Sequence, residues 1–124
     1  MFAGKTRIYA ATAPIDLRRS VDGLAAAARD QIGHNPQNNS LFLFVNRRGN
    51  RLKALWWDRT GFCILYKRLE RGLFRMPSPL RLGEKSVAID AAEFAKILEG
   101  IFLGRPRASR PKPGSTMSSV APTT

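Results

Sequence analysis

The stretch between residues 41 and 57 constrains the fold more than any other, because it has the pattern of a β-hairpin. Residues 41–45 are continuously apolar, which is typical of a buried strand. Residues 47–50 (Arg-Arg-Gly-Asn) have the composition of a turn, with a glycine free to take a positive φ. Residues 51–57 alternate, so their two kinds of side chain are predicted on opposite faces. One face carries Arg51 and Lys53, and the other carries Leu52, Ala54 and Trp56.

Further strands and two helices are predicted around this hairpin. Residues 7–11, 62–68 and 86–89 are strand candidates. A helix is predicted from the N-cap Ser20 to about residue 32, and Gly33 is a suitable stop. Asp90 and Glu93 form a capping box at the start of a second helix, whose apolar stripe is Phe94, Ile97, Leu98 and Ile101. The predicted fold class is α+β, a small antiparallel sheet with two amphipathic helices on one face.

The C-terminal residues differ in composition from the rest of the chain. Residues 104–124 contain four basic residues, no acidic residue and no aromatic residue, and they are rich in Pro, Ser and Thr. Such a segment buries too little apolar surface to offset the entropy lost on ordering. We therefore expect one folded domain over residues 1–103 and a disordered basic tail over residues 104–124.

The formal net charge of the 124-residue chain is +12. Such a charge attracts nucleic acid or an anionic membrane surface. Apolar runs do not exceed five residues, and the start of the chain lacks the apolar segment of a signal peptide. These features favour a cytoplasmic, nucleoid-associated protein without a membrane partner. The single cysteine, Cys63, excludes an internal disulfide and a multi-cysteine zinc site.

The positive charge is concentrated between residues 47 and 75, where nine Lys or Arg residues stand against only two acidic residues. Arginine suits phosphate groups, and flat aromatic rings can stack on bases. Trp57 is expected to be the exposed aromatic, because alternation groups it with Arg51 and Lys53, whereas Trp56 is expected in the core. We expect one contiguous solvent-facing surface formed by Arg47, Arg48, Arg51, Lys53, Trp57, Arg59, Lys67, Arg68, Arg71 and Arg75. The alternative is an ordinary solvated sheet face over an aromatic core.

The sequence offers no convincing catalytic set. Asp16, Asp22, Asp58 and Glu70 lack a spacing that recommends a shared metal ion. His34 is the only histidine and lies in a predicted loop without an acidic neighbour. No glycine-rich phosphate loop is present. We therefore expect no catalytic residue, no metal site, no cofactor and no enzymatic activity.

Five segments resemble the TnpB-type accessory proteins of the IS66 insertion sequences. They are residues 14–24 (PIDLRRSVDGL), residues 47–58 with the Trp-Trp-Asp motif, residues 61–63 (GFC), residues 66–72 (YKRLERG) and residues 98–101 (LEGI). The resemblance covers about residues 4–103, and Ile15 departs from it where threonine is frequent. It implies a small bacterial protein, encoded in a mobile element beside a larger transposase that holds the catalytic carboxylates.

Charge and resemblance together predict an accessory protein of transposition. Its expected partners are DNA, at the element ends or flanking them, and the larger transposase, with no small-molecule substrate. One alternative is a protein-interaction module that binds the transposase without intrinsic DNA affinity. Another is a small Mg²⁺-dependent nuclease that uses Asp16 or Asp58.

Overall fold

The computed structural model describes residues 6–101, which form a five-stranded sheet and two helices. The strands are β1 (Arg7–Ala11), β2 (Ser40–Val45), β3 (Arg51–Asp58), β4 (Gly61–Arg68) and β5 (Ser86–Ile89). The helices are α1 (Val21–Ala27), which continues as a π-helical segment (Ala28–Ile32), and α2 (Ala91–Glu99). The predicted tail, residues 104–124, lies outside the described residues.

The sheet has the strand order β4-β3-β2-β1-β5 and is mostly antiparallel. The predicted α+β class is therefore confirmed. The exception is β1, which pairs with β2 in parallel, Ile8 opposite Leu41. The chain leaves β1, crosses through α1 and returns along β2 in the same direction, which is how parallel neighbours are connected.

The core consists of two clusters on opposite faces of this sheet. One cluster combines α1 and the π-helical segment with alternate strand residues such as Phe42 and Leu55, and we call this side the α1 face. The other packs Ile97 of α2 against strand residues such as Leu43 and Leu52, and we call this side the α2 face. The expectation that both helices share one face is therefore wrong. Because β2 is covered on both sides, its apolar run is continuous.

The predicted helix starts are confirmed. The Ser20 hydroxyl accepts a hydrogen bond from the Gly23 N–H at 3.4 Å, and the Asp90 carboxylate accepts one from the Glu93 N–H at 2.8 Å. The second helix is shorter than its apolar stripe suggested. Gly100 takes a φ of 76°, so the chain leaves the helix there, and Ile101 forms a bridge with Leu73 instead.

The segment after β4 returns along the β2–β3 turn. The Leu69 N–H donates to the Asn50 carbonyl and the Phe74 N–H to the Gly49 carbonyl, both at 2.8 Å. Phe74 is buried in the α2-face cluster, so its side chain holds the segment in place. One side of the turn is consequently occupied by residues 69–74.

Candidate functional site

A groove of about 830 Å³ opens at the end of the sheet where β2 turns into β3. One wall is the β1–α1 loop, residues 14–18, and the other is the β2–β3 turn with the start of β3. Ile64 and Tyr66 of β4 contribute the apolar part of the lining. Five cations also line it: Arg18, Arg47, Arg48, Arg51 and Lys53. Among residues 6–101, Asp16 is the one acidic residue in this lining.

The loop wall is fixed to the sheet by hydrogen bonds and by burial. The Ile15 N–H donates to the Val45 carbonyl at 3.0 Å, and the side chains of Ile15 and Leu17 are buried in the α1-face cluster. The Lys53 ammonium donates to the Leu17 carbonyl at 2.6 Å, in a partly buried position. Lys53 therefore joins the two sides of the groove while keeping its charge at the groove.

Asp16 and Arg18 form an ion pair on the loop wall. The Arg18 guanidinium donates to both carboxylate oxygens, at 3.0 Å from Nε and 2.9 Å from Nη2, and the Arg18 backbone N–H adds a third bond at 2.9 Å. These hydrogen bonds, the side-chain bonds most strongly, lower the pKa of Asp16 to about 2. The carboxylate therefore stays ionised and balances the charge of Arg18.

The remaining groove arginines are not balanced in this way. Among residues 6–101 the ion pairs are Arg18–Asp16 and Arg68–Glu70, so none involves Arg47, Arg48 or Arg51. All three side chains are exposed. Guanidinium groups donate in a planar fork that matches the oxygens of phosphate. This rim of the groove can therefore bind an anionic backbone.

The exposed aromatic of the groove is Tyr66, with a relative exposure of 51%. It lies opposite Lys53 in the β3–β4 register, and the ammonium is 5.7 Å from the ring centroid. Trp57 lies on the same face of β3 as predicted, but it is half-buried against Phe62 at a centroid distance of 4.9 Å. The expectation of an exposed Trp57 is thus wrong, because the side chain directly across the register covers it. Trp56 is half-buried against the α2-face cluster.

The predicted binding residues divide into separate groups. Arg47, Arg48, Arg51 and Lys53 meet at the groove, and Arg68 is directly opposite Arg51 in the register, with an ion pair to Glu70 at 3.0 Å. Arg59 lies in the β3–β4 turn at the other end of β3, which is roughly 23 Å away for a strand of this length.

The other three lie away from the groove. Lys67 points to the α2 face, where its ammonium donates to the Leu98 carbonyl at 2.6 Å. Arg71 is exposed in the segment after β4, and Arg75 lines a separate depression beside α2 with Glu93 and Lys96. The expected single contiguous surface is therefore wrong. Strand alternation sends Lys67 to the opposite face, and Arg59, Arg71 and Arg75 lie in connecting segments away from the groove.

Two groove residues escaped the sequence-based prediction, Arg18 and Tyr66. The hairpin register carries a signal for Tyr66: a two-residue turn between Asp58 and Gly61 places residue 66 opposite Lys53. No comparable local signal exists for Arg18, because the docking of its loop beside the end of β2 is a long-range contact.

The histidine and the cysteine of the chain pack within the fold, away from the groove lining. His34 stacks on Tyr9 with ring centroids 4.0 Å apart, and Cys63 is half-buried in β4. Within residues 6–101, no three His, Cys, Asp or Glu side chains lie together as a metal site. Over the same residues, neither helix is long and apolar enough to cross a membrane.

Comparison with known proteins identifies the family of this chain. The family model described as IS66 Orf2 like protein matches residues 6–108. Two proteins of Sinorhizobium fredii (strain NBRC 101917 / NGR234) are similar to the chain. The "Uncharacterized protein y4hO" is 35% identical over 101 residues, covering 82% of this chain and 85% of the relative. The "Uncharacterized protein y4jC" is 33% identical over 95 residues, covering 77% and 79%.

No solved structure matches the chain. The matched residues include both walls of the groove as well as the whole of the sheet. The chain therefore belongs to the IS66 Orf2-like family, a family of insertion-sequence accessory proteins.

Proposed function

We propose that this protein is a non-catalytic, DNA-binding accessory factor of transposition that assists the larger transposase of the same element. One observation carries the proposal: five cations line a single groove, and its one carboxylate is already paired with Arg18. A concave site with that excess of positive charge attracts the phosphates of a nucleic acid. The family membership supplies the setting in which such a ligand is DNA of the element.

Binding through phosphates has a measurable signature. Each phosphate neutralised by a cation releases counterions, so affinity falls as salt rises. If three or four of the groove cations other than the paired Arg18 contact phosphates, the slope of log K against log salt is about −2.7 to −3.6 on duplex DNA. A titration of fluorescently labelled element-end DNA between 50 and 200 mM salt measures that slope; a slope near zero excludes phosphate contacts of this number.

A charge-reversal pair locates the contact. Arg48→Glu with Arg51→Glu is expected to weaken DNA binding about tenfold or more, because it replaces two rim cations by anions. The matched control is Arg59→Glu with Arg75→Glu, which makes the same charge change outside the groove. Equal losses in the two variants would show that overall charge, and not the groove, determines binding.

A second candidate function is protein binding, favoured by one loop. Leu80 and Leu82 are 84% and 105% exposed, although the loop around them is ordered by the Glu84 carboxylate, which accepts the N–H groups of Leu80 at 2.6 Å and Arg81 at 2.8 Å. Exposed large apolar side chains on an ordered loop are typical anchors for a protein partner.

Co-purification with the transposase after nuclease treatment tests this candidate. If it is correct, the complex survives nuclease digestion and is lost in Leu80→Ser with Leu82→Ser. Retention of the complex in that variant excludes the leucine loop as the anchor. A protein without intrinsic DNA affinity that still binds the transposase would make protein binding the main function.

A further inference from the structure

We infer that the groove binds an unpaired DNA strand, with a base stacked on the exposed ring of Tyr66 and phosphates held by the arginines of the rim. The inference rests on the proposed DNA binding and names the form of DNA that the same site accepts. Single-strand binding sites combine a basic groove with aromatic side chains on which bases stack. The observations that carry it are the shape of the site, the placement of its aromatic ring and the surroundings of the β2–β3 turn.

The shape of the site favours a single strand. The cations surround a concavity of about 830 Å³, a size within the range of about 300–1,000 Å³ that is usual for small-molecule sites. Such a space can enclose one or two nucleotides of a single strand, whereas a duplex would have to lie across its rim. Five cations line this space and can therefore reach a backbone that enters it.

The aromatic ring is placed where a base can reach it. Tyr66 is the aromatic residue among the large apolar side chains that are exposed in residues 6–101. It is a diagonal neighbour of Arg51, because Arg51 pairs with Arg68, two residues farther along β4. Diagonal neighbours on a sheet face are about 7–8 Å apart. One nucleotide can span that separation, with its phosphate at Arg51 and its base on Tyr66.

The ammonium of Lys53 fixes this arrangement. It donates to the Leu17 carbonyl at 2.6 Å and is 5.7 Å from the centroid of Tyr66. One side of the Tyr66 ring is therefore near a cation. About half of the residue remains exposed to solvent, and a base can stack there. Stacking of a base on such a ring depends little on sequence, because every base has a π-face.

The surroundings of the β2–β3 turn disfavour reading of a duplex by this hairpin. The major groove, which is about 12 Å wide, admits an element no wider than an α-helix or a two-stranded β-ribbon. Here the carbonyls of Gly49 and Asn50 accept hydrogen bonds from Phe74 and Leu69. A Cβ added at Gly49 would lie 3.4 Å from the Leu73 side chain. Residues 69–74 therefore widen the tip beyond a two-stranded ribbon.

Fluorescence anisotropy on the full chain tests the inference, with four labelled 12-residue probes. The probes are a mixed-sequence DNA strand, the same strand as a blunt duplex, the same strand with abasic sites in place of the central bases, and its RNA counterpart. The unpaired DNA strand is expected to bind more tightly than the duplex at 0.1 M salt. The abasic strand keeps the phosphates and is expected to lose most of the stacking.

Variants at position 66 identify the stacked ring. Tyr66→Ala is expected to weaken binding of the DNA strand by about 5- to 150-fold, and Tyr66→Phe to leave it nearly unchanged. On the abasic strand, Tyr66→Ala is expected to lose no further affinity. The matched control, Leu82→Ala, removes an exposed apolar side chain away from the groove. A urea denaturation curve for each variant shows that the fold is retained.

The outcomes are distinguishable. Equal or tighter binding of the duplex, with no effect of Tyr66→Ala, overturns the inference and leaves the proposed DNA binding intact. Failure of every DNA probe to bind overturns the proposed function itself. Binding of the RNA strand more than tenfold tighter than the DNA strand overturns the assignment to DNA, whereas equal or weaker RNA binding supports it.

Discussion

Lys53 and Lys67 have the same side chain, lie on neighbouring strands and make the same kind of bond on opposite faces of the sheet. Each ammonium donates to a backbone carbonyl at 2.6 Å, Lys53 to Leu17 on the α1 face and Lys67 to Leu98 on the α2 face. Lys53 fixes a loop, and the loop leaves a groove beside it. Lys67 fixes the last turn of α2, whose side chains cover the sheet.

The difference shows that the surroundings of a strand lysine depend on the segment packed over that face of the sheet. That segment is the loop of residues 14–18 for Lys53 and α2 for Lys67. The α2 face carries a helix that packs Phe94, Ile97 and Leu98 against the sheet. The α1 face is covered by α1 and by the loop of residues 14–18, and Tyr66 beyond that loop remains exposed. The charge pattern of the sequence does not distinguish Lys53 from Lys67. Their positions in the structure predict that substitution of Lys53 affects DNA binding more than substitution of Lys67.

The largest effects on the free energy of unfolding are expected in the core, where the two faces of the sheet should contribute about equally. Leu52 and Leu55 are both fully buried, one on the α2 face and one on the α1 face. Leu52→Ala and Leu55→Ala are each expected to lower the free energy of unfolding by about 2–5 kcal/mol, measured by urea denaturation. Leu82→Ala, at an exposed site, is expected to change it by less than about 0.5 kcal/mol. A loss at only one leucine would show that one face contributes little to the core.

The next largest effect is expected at Lys53. Lys53→Met removes the donor of the Leu17 carbonyl and is expected to cost about 1–2 kcal/mol in urea denaturation, at the lower end for a charged hydrogen bond because the site is only half-buried. The same variant is expected to weaken DNA binding, because the loop wall loses an attachment. Lys85→Met, at an exposed position outside the groove, is the matched control. Unchanged DNA affinity in Lys53→Met would contradict a role of the groove in DNA binding.

A smaller effect is expected at Lys67, and it sharpens the contrast between the two lysines. Lys67→Met removes a cation at the C-terminal end of α2, where a positive charge contributes about 0.3–1 kcal/mol at an exposed site. DNA affinity is expected to stay within about twofold of wild type, because one charge away from the groove is lost. Paired binding curves for Lys67→Met and Lys53→Met make the comparison. A larger loss of affinity in Lys67→Met than in Lys53→Met would place the DNA contact on the α2 face and not at the groove.

The smallest effect is expected at the exposed pair on the loop wall. Since Arg18 lowers the folded-state pKa of Asp16 from 3.8 to about 2, the carboxylate stabilises the fold at pH values above 3.8. That contribution is lost as the pH falls through about 2. The stability difference between wild type and Asp16→Asn is therefore expected to be constant at neutral pH and to shrink between about pH 4 and pH 2.

An NMR titration of the Asp16 carboxyl checks the cause. The midpoint is expected near pH 2 in wild type and closer to 3.8 in Arg18→Gln, which lacks the guanidinium. A midpoint that does not move in Arg18→Gln would show that Arg18 does not hold the carboxylate. The matched change at Arg19→Gln is expected to move it much less, because Arg19 acts on Asp16 only through its charge.

Local patterns in the sequence predicted the strands well, and they did not predict how the chain covers the sheet. The alternation of Arg51 to Trp57 and the caps at Ser20 and Asp90 depend on neighbouring residues, and all of them are confirmed. The parallel pairing of β1 with β2 joins segments about 30 residues apart along the chain, and no local pattern marks it. The crossover through α1 covers one face of the sheet, and α2, which follows β5, packs against the other face.

The candidate site, like the fold, is predictable where its residues are neighbours in the sequence and not where it depends on long-range packing. The turn cations Arg47 and Arg48 and the strand cations Arg51 and Lys53 come from one continuous segment, so charge in the sequence identifies them. The same charge pattern predicts Lys67 and Arg75 in the site, because sequence distance does not show which face or depression a residue occupies. Arg18 was missed because its loop reaches the groove only through the packing of Ile15 and Leu17.

The origin of the two walls has a kinetic consequence. The wall of residues 46–51 belongs to the β2–β3–β4 meander, which needs only contacts between sequence neighbours. The wall of residues 14–18 arrives with the parallel pairing of β1, a long-range step that is slower to form. A chain with a completed meander and an undocked β1 carries the arginines without the cleft between them. If β1 docks after the meander is formed, DNA binding by the groove is expected to appear later during refolding than the signal of hairpin formation.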